Sequence, residues 1–289
     1  METVLVTGAS GLLGSSLVPF LQLSGHEVKT HARACGAHYQ ADLSVPKEAF
    51  NLLAQIEPGV IINLVGLTDV DLCEAKPNSA YMANVRTVEN ITGWIKKTKA
   101  PCHLVQISTD QVYDGTGPHL EGQVALTNYY AFSKYAGELA ASATSSTILR
   151  TNFFGRSRCE KRKSLTDWLF GALSNGDSIQ VFDDVLFSPL SMTTLSEMID
   201  LVLRKKLMGV FNLGSHNGMS KANFAFAFAE ELGLPTRNMT RTTTDKVTFL
   251  RTYRPKDMRM DCTRFEKEFQ MQLQNLVDEV RLVAKDYRE

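Results

Sequence analysis

Thr3-Val4-Leu5-Val6-Thr7-Gly8-Ala9-Ser10-Gly11-Leu12-Leu13-Gly14 stands near the start of a 289-residue chain. Val4-Leu5-Val6 is a short apolar run, as in a strand covered on both faces. Leu12 to Leu21 carries apolar residues at Leu13, Leu17, Val18, Phe20 and Leu21, which predicts a helix. A strand that feeds a helix through glycines leaves the first helical N–H groups without partners, and these can bind an anion. Gly8 permits the tight turn, Gly11 lets the backbone approach a phosphate, and Gly14 lets the helix pack closely. Such glycines can also simply make a turn. Their place between an apolar strand and an apolar helix favours a dinucleotide, with Ser10, Leu12 and Leu13 completing the turn around its pyrophosphate.

The same rhythm continues outward. His26–Thr30 reads as a second strand, and Phe50-Asn51-Leu52-Leu53 lies in a helix that stops before Pro58. Val60–Val65 is a continuous apolar strand, followed by a long helix from about Asn78 to Lys97. His103–Ile107 is a strand, and Ser146–Leu149 another, with a helix carrying Tyr130 and Lys134 between them. Alternating strands and helices predict an α/β fold: a doubly wound parallel sheet of Rossmann type. After Arg150 the pattern loosens. Helices are expected around Leu165–Leu173, Leu195–Leu203, Lys221–Leu232 and Thr263–Lys285, with strands at Ser178–Phe182 and Val210–Leu213. Residues 1–150 therefore read as a dinucleotide-binding domain. Residues 151–289 read as a segment that finishes the sheet and forms a smaller α/β substrate lobe.

Composition narrows the classes. Hydrophobic residues make up 44% and charged residues 21%, and the formal net charge is +0. A neutral chain lacks the basic surplus usual in nucleic-acid and membrane-surface binders. The five cysteines, Cys35, Cys73, Cys102, Cys159 and Cys262, are scattered, with no CxxC or His/Cys ligand spacing. They read as reduced thiols, and no metal is expected. The first strand begins almost at Met1, leaving no room for a leader, and no apolar run approaches a membrane span. A cytoplasmic location is expected.

The end of the second strand bears on the cofactor. NAD sites place an acid there, against the ribose hydroxyls. This chain has Thr30-His31-Ala32-Arg33, and Arg33 can pair with a 2′-phosphate. NADPH is the expected cofactor, with NADH as the alternative. Asp42-Leu43, after the third strand, can frame the adenine, or Asp42 can cap or turn the chain. Leu64-Val65-Gly66 ends the fourth strand, where open α/β sheets form their ligand crevice.

Asn128-Tyr129-Tyr130-Ala131-Phe132-Ser133-Lys134 supplies proton chemistry. Tyr130 and Lys134 are four apart and share a helix face. A free tyrosine titrates near ~10, and a neighbouring ammonium lowers that value. Ser108 and Thr109, at the end of the fifth strand, can hold a substrate oxygen. A bare Tyr-x-x-x-Lys spacing is common on ordinary helices; its position downstream of the glycine turn gives it weight.

These pieces, in this order, make the chain resemble the extended short-chain dehydrogenase/reductase superfamily, and within it the dTDP-4-dehydrorhamnose reductase group. The matching residues are Thr7–Gly14, Asp42-Leu43, Asn63–Asp71, Ala83-Asn84-Val85, Ser108–Gly115, Tyr130–Lys134 with Ala136-Gly137-Glu138, and Leu149-Arg150-Thr151. Arg254-Pro255 and Asp261 extend a weaker match. The resemblance implies a nucleoside-diphosphate 4-keto-6-deoxysugar as substrate, NAD(P)H as hydride donor, and a homodimer. It makes Tyr130 the proton donor, Thr109 the residue that orients the C4 carbonyl, and Lys134 the group that tunes Tyr130 and holds the ribose. Asn84 would support the site from its helix. Thr68, Asp69, Ser108, Thr109, Asn152 and Phe153 would contact the sugar nucleotide.

Two departures matter. Related dehydratases carry an acid where this chain has Gln111, which cannot titrate, so dehydration is disfavoured. Asn152-Phe153-Phe154-Gly155 replaces the tryptophan-bearing run associated with the rhamnose enzyme, which leaves the sugar open. The basic run Arg156–Lys163 can close over a substrate diphosphate, but a charge run more often is a solvated loop and it is read as one; Arg251, Arg254 and Lys256 are rival diphosphate candidates. Two other functions stand beside the reductase. One is a nucleotide-sugar epimerase on the same scaffold. The other is a non-catalytic dinucleotide-binding regulatory subunit, since the chain is similar, more distantly, to that of methionine adenosyltransferase.

Overall fold

The computed structural model describes residues 2–34, 36–160 and 162–288, so Cys35 and Lys161 lie outside the described residues. The chain forms two compact units. One holds residues up to Thr109, Asn128–Arg150 and Ser196–Phe211; the other holds Asp110–Thr127, Thr151–Leu195 and Asn212–Glu289. The units interleave along the chain, whereas the sequence reading cut it once, after residue 150. The reason is topological: a helix and an edge strand from the second half return to the first unit's sheet.

In the first unit, β1 (Thr3–Thr7) leads into α1 (Leu12–Leu23), then β2 (Glu27–Ala32), β3 (Tyr39–Gln40), α2 (Pro46–Ile56) and β4 (Val60–Asn63). Next come α3 (Val70–Ala75), α4 (Pro77–Tyr81), a π-helical turn at Met82–Arg86, and α5 (Thr87–Thr98). β5 (His103–Ile107), α6 (Tyr129–Ala141) and β6 (Ser146–Thr151) follow. The strands stand in the order β3-β2-β1-β4-β5-β6, the doubly wound order, and each pairs in parallel with its neighbours. Strand order reverses between β1 and β4, so the crevice for a ligand opens where Gly8 and Leu64 leave those strands.

The apolar periodicity has its physical basis in the core. Leu5, Ile61, Leu104 and Ile148, from four neighbouring strands, pack with Leu53, Ile91 and Trp94 from the covering helices. Asn63 ends β4 two residues earlier than the apolar run implies. Its buried side chain accepts from the Thr7 hydroxyl at 2.6 Å and donates to Gln106 at 2.8 Å, a polar rung across β1, β4 and β5. The Val65 N–H also turns onto the Asn63 side-chain oxygen, at 3.3 Å, and the chain leaves the sheet.

The second unit contains β7 (Phe153–Phe154), α7 (Leu165–Asn175), β8 (Ile179–Phe182), β9 (Leu186–Phe187) and β10 (Leu190–Ser191). After α8 (Met192–Lys205) and β11 (Gly209–Leu213), the strand added beside β6, come β12 (Met219–Ser220), α9 (Lys221–Leu232), β13 (Met239–Thr242), α10 (Thr263–Phe269) and α11 (Leu276–Lys285). Phe154, Phe187, Phe224 and Phe228 form the centre of its core. The single helix expected over Thr263–Lys285 is two. Gln270 adopts a left-handed backbone, with φ 52°, and ends α10; Leu273 then buries itself before α11 begins. No helix among the described residues is long and apolar enough to cross a membrane.

Candidate functional site

The glycine turn has a geometry open to an anion. Gly8 has φ +69°, a left-handed conformation open to glycine, and a Cβ there would stand 3.0 Å from backbone atoms of Leu64 and Val65. The turn therefore rests directly on the exit from β4. Gly11 is the N-cap of α1 in extended conformation and provides no side-chain cap. No acidic residue occupies the first turn, which leaves its N–H groups and the positive helix end for a phosphate. A Cβ at Gly14 would overlap the Ala9 carbonyl, so that glycine is required for packing. Ser10 is exposed, Leu12 is half-buried and Leu13 is core. Of the residues expected at the phosphates, Leu13 has its side chain in the core, which leaves only its backbone to face the turn.

Arg33 lies exposed just beyond β2 and acts electrostatically on Asp42. Asp42 takes the turn-forming alternative. Its carboxylate accepts from the Ser44 hydroxyl at 2.6 Å and the Ser44 N–H at 2.9 Å, and these bonds hold it below the ordinary carboxylate range. Leu43 is a core residue, and its carbonyl accepts from Asn90 at 2.8 Å. Leu64, Val65 and Gly66 are half-buried along the crevice.

Thr109, Tyr130 and Lys134 are all buried, at 5%, 6% and 7% exposure. Asn128 caps α6, accepting from the Ala131 N–H at 2.9 Å, and so fixes Tyr130 as the second residue of that helix. The Lys134 ammonium donates to the Ile107 carbonyl at 2.7 Å, tying α6 to the end of β5 two residues before Thr109. Burial lowers the Lys134 pKa to about 8, against the opposing pulls of Glu138 and Cys73. A Cβ on Gly66 would lie 3.8 Å from the Lys134 nitrogen. The crevice residue, the lysine and the end of β5 thus meet in one place. Chemically, the arrangement offers a cationic hydrogen-bond donor near its titration point, one helical turn from a phenol.

A model of the RmlD substrate binding domain family matches residues 1–289. The chain belongs to that family. It is 28% identical over 241 residues to a probable low-salt glycan biosynthesis reductase of Haloferax volcanii, covering 79% of each chain. It is 28% identical over 293 residues to the dTDP-4-dehydrorhamnose reductase of Aggregatibacter actinomycetemcomitans, covering 94% of this chain and 95% of that one. Methionine adenosyltransferase 2 subunit beta of Rattus norvegicus is 25% identical, with 91% and 81% covered. The fold matches that of the Bacillus anthracis dTDP-4-dehydrorhamnose reductase crystallised with NADP, at a TM-score of 0.88 and 23% identity, over 99% of both chains.

The remaining site expectations of this RmlD-family chain divide. Thr68 is exposed on the loop that follows Gly66. Asp69 is the N-cap of α3, accepting from the Leu72 N–H at 2.9 Å, so its carboxylate serves the helix. Ser108 donates its hydroxyl to Glu138, which spends its hydrogen inside the protein and leaves its oxygen only as an acceptor. In the second unit, the Asn152 amide donates to Asp110 at 2.7 Å, and Phe153 is a half-buried residue of β7. Arg158, Arg162 and Lys163 are exposed, as a solvated loop requires. Arg156 is also exposed but donates to the Asp286 carbonyl and lies over the Tyr287 ring at 5.7 Å. Lys256 is paired with Asp184, and Arg254 donates to the Thr252 carbonyl at 2.8 Å. Arg251 is exposed and Arg254 half-buried.

Three features escaped the sequence reading of this RmlD-family member. Glu138 and Arg150 form a buried ion pair that also receives Ser108. The helix around Asn84 contains a π turn, a distortion concentrated at functional sites. Cys73 packs in one cluster with Val70, Ala80 and Tyr130. The motifs Ala136-Gly137-Glu138 and Leu149-Arg150-Thr151 carried a signal for the first, but one sequence does not pair their charges.

Proposed function

We propose that this chain is an NAD(P)H-dependent reductase of a nucleoside-diphosphate 4-keto-6-deoxysugar, acting in the cytoplasm in polysaccharide synthesis. The observation that carries the reading is the buried Lys134 ammonium bonded to the end of β5, one turn from Tyr130 and two residues from Thr109. The uncapped N-terminus of α1 and the crowded Gly8 turn fit a dinucleotide pyrophosphate. When bound, the reduced nicotinamide supplies the hydride delivered to C4. Thr109 orients the C4 oxygen by a hydrogen bond. Tyr130 passes its phenolic proton to that oxygen as negative charge develops. Lys134 keeps the phenol acidic and bonds the ribose hydroxyls. The relatives named as reductases support this assignment.

The test follows NADPH absorbance across a panel of nucleotide 4-ketosugars. Oxidation with at least one is expected; a flat trace with all of them rejects the reductase. An epimerase retains its cofactor through both half-reactions, so tightly held NAD⁺ in purified protein would reverse the ranking. The likeness to the methionine adenosyltransferase subunit favours a regulatory role as the other reading. Co-purification with a catalytic partner and no turnover would establish it.

Arg33 is the proposed contact for the 2′-phosphate. Arg33→Ala is expected to weaken NADPH by roughly tenfold while leaving NADH nearly unchanged, the scale of one charge-assisted bond. Titration of both cofactors checks this, and equal weakening removes Arg33 from cofactor choice.

A further inference from the structure

We propose that Ser133, acting through Asn84, is a positioning residue that holds the Gly66–Leu67 peptide in place beside the Lys134 ammonium. The inference rests on the reductase reading for its kinetic consequence, though not for its geometry.

The Asn84 side chain pairs with both polar groups of the Leu67 backbone. Its oxygen accepts from the Leu67 N–H at 2.7 Å, and its nitrogen donates to the Leu67 carbonyl at 3.0 Å. An amide nitrogen carries two hydrogens. The second goes to the Ser133 hydroxyl at 2.9 Å. Ser133 in turn donates to the Tyr130 carbonyl at 2.9 Å, which orients its lone pair toward Asn84. A continuous chain of hydrogen bonds therefore joins the first turn of α6 to the loop leaving β4. Asn84 and Ser133 are buried at 2% and 1% exposure, so water cannot replace either partner.

Two other residues fit this purpose. A Cβ at Gly137 would overlap the Asn84 carbonyl, so that glycine lets the π turn come against α6. Ser133 and Gly137 are four apart and present one face to Asn84. Cys73 adds a third hold on the loop, its thiol donating to the Leu67 carbonyl at 3.5 Å. The consequence falls on Gly66, whose Cβ position lies 3.1 Å from the Asn84 oxygen and 3.8 Å from the Lys134 nitrogen. The clamp thus fixes a backbone segment beside the buried ammonium.

Ser133→Ala leaves a buried Asn84 N–H without its acceptor and loosens the clamp. Alanine is the better helix former, so the variant folds. The expected result is a fall in kcat of about tenfold or more, from lost alignment, with KM for the sugar nucleotide and NADPH affinity nearly unchanged. Ser133→Thr restores the hydroxyl and most of kcat. A purely structural role would not move the titration of Lys134. Here, water admitted over the ammonium relieves its desolvation. Its pKa rises from about 8 toward 10.5. That shift is read from the side-chain nitrogen resonance of Lys134 in the full chain without substrate. A wild-type protein that reduces no ketosugar therefore sinks the reductase and leaves this test standing. An unmoved Lys134 resonance, or wild-type kcat in Ser133→Ala, overturns the positioning role.

Discussion

Tyr130→Phe is expected to cut turnover by ~100-fold or more while NADPH binds almost as tightly, the magnitude of losing a general acid. The substitution removes one oxygen and keeps the ring, which packs with Val70, Cys73 and Ala80. Stability is therefore expected to change little, and the kinetic loss isolates the proton. The pH profile supplies the second half of the expectation. Lys134 holds its proton only below about 8 because burial disfavours the charged form. Wild-type reduction should fall as pH rises through that value, since the ammonium that sustains the acidic phenol is lost. In Tyr130→Phe the residual rate should be nearly flat over the same range, because no phenol is left to be tuned. Single-turnover kinetics with NADPH, across pH, reads both. A variant as active as wild type would remove Tyr130 from the mechanism.

Much of this site could be read from residue order, and the part that could not has a common cause. The placement of Gly8, Gly11, Thr109, Tyr130 and Lys134 was legible because it depends on local spacing: a turn, a strand end, one helical repeat. The sheet was legible for the same reason, since buried parallel strands are short apolar runs. The partners of Asp69 and Ser108 were not legible because an acid or hydroxyl near a strand end suits ligand and protein alike. Only the fold reveals that Asp69 caps α3 and that Ser108 feeds Glu138. The break between α10 and α11 was invisible because the apolar period runs through Gln270 and only its left-handed backbone interrupts the helix. The Asn63 rung, linking residues 43 and 56 positions apart, has no local signature at all.

The largest expected loss of stability comes from Glu138→Ala. Arg150 and Glu138 side chains are 3% and 2% exposed, and their closest pair of atoms is 2.6 Å apart. The Arg150 Nε donates to both carboxylate oxygens, at 3.0 and 3.1 Å, so the pair is held by more than one bond. Removing the carboxylate takes the counter-charge from a buried guanidinium that cannot lose its proton. Such a break costs about 3–5 kcal/mol. Replacing both charges, as in Glu138→Leu with Arg150→Met, should recover most of that, because the penalty belongs to the unpaired charge. Urea denaturation of the two variants measures the difference. An unchanged midpoint for Glu138→Ala would show that the pair carries no such weight. The same carboxylate raises the Lys134 pKa against the stronger pull of burial. In either variant, where enough protein stays folded to assay, the alkaline fall in rate should therefore begin at lower pH than in wild type. The ion pair that secures α6 to β6 also sets how long the neighbouring lysine keeps its charge.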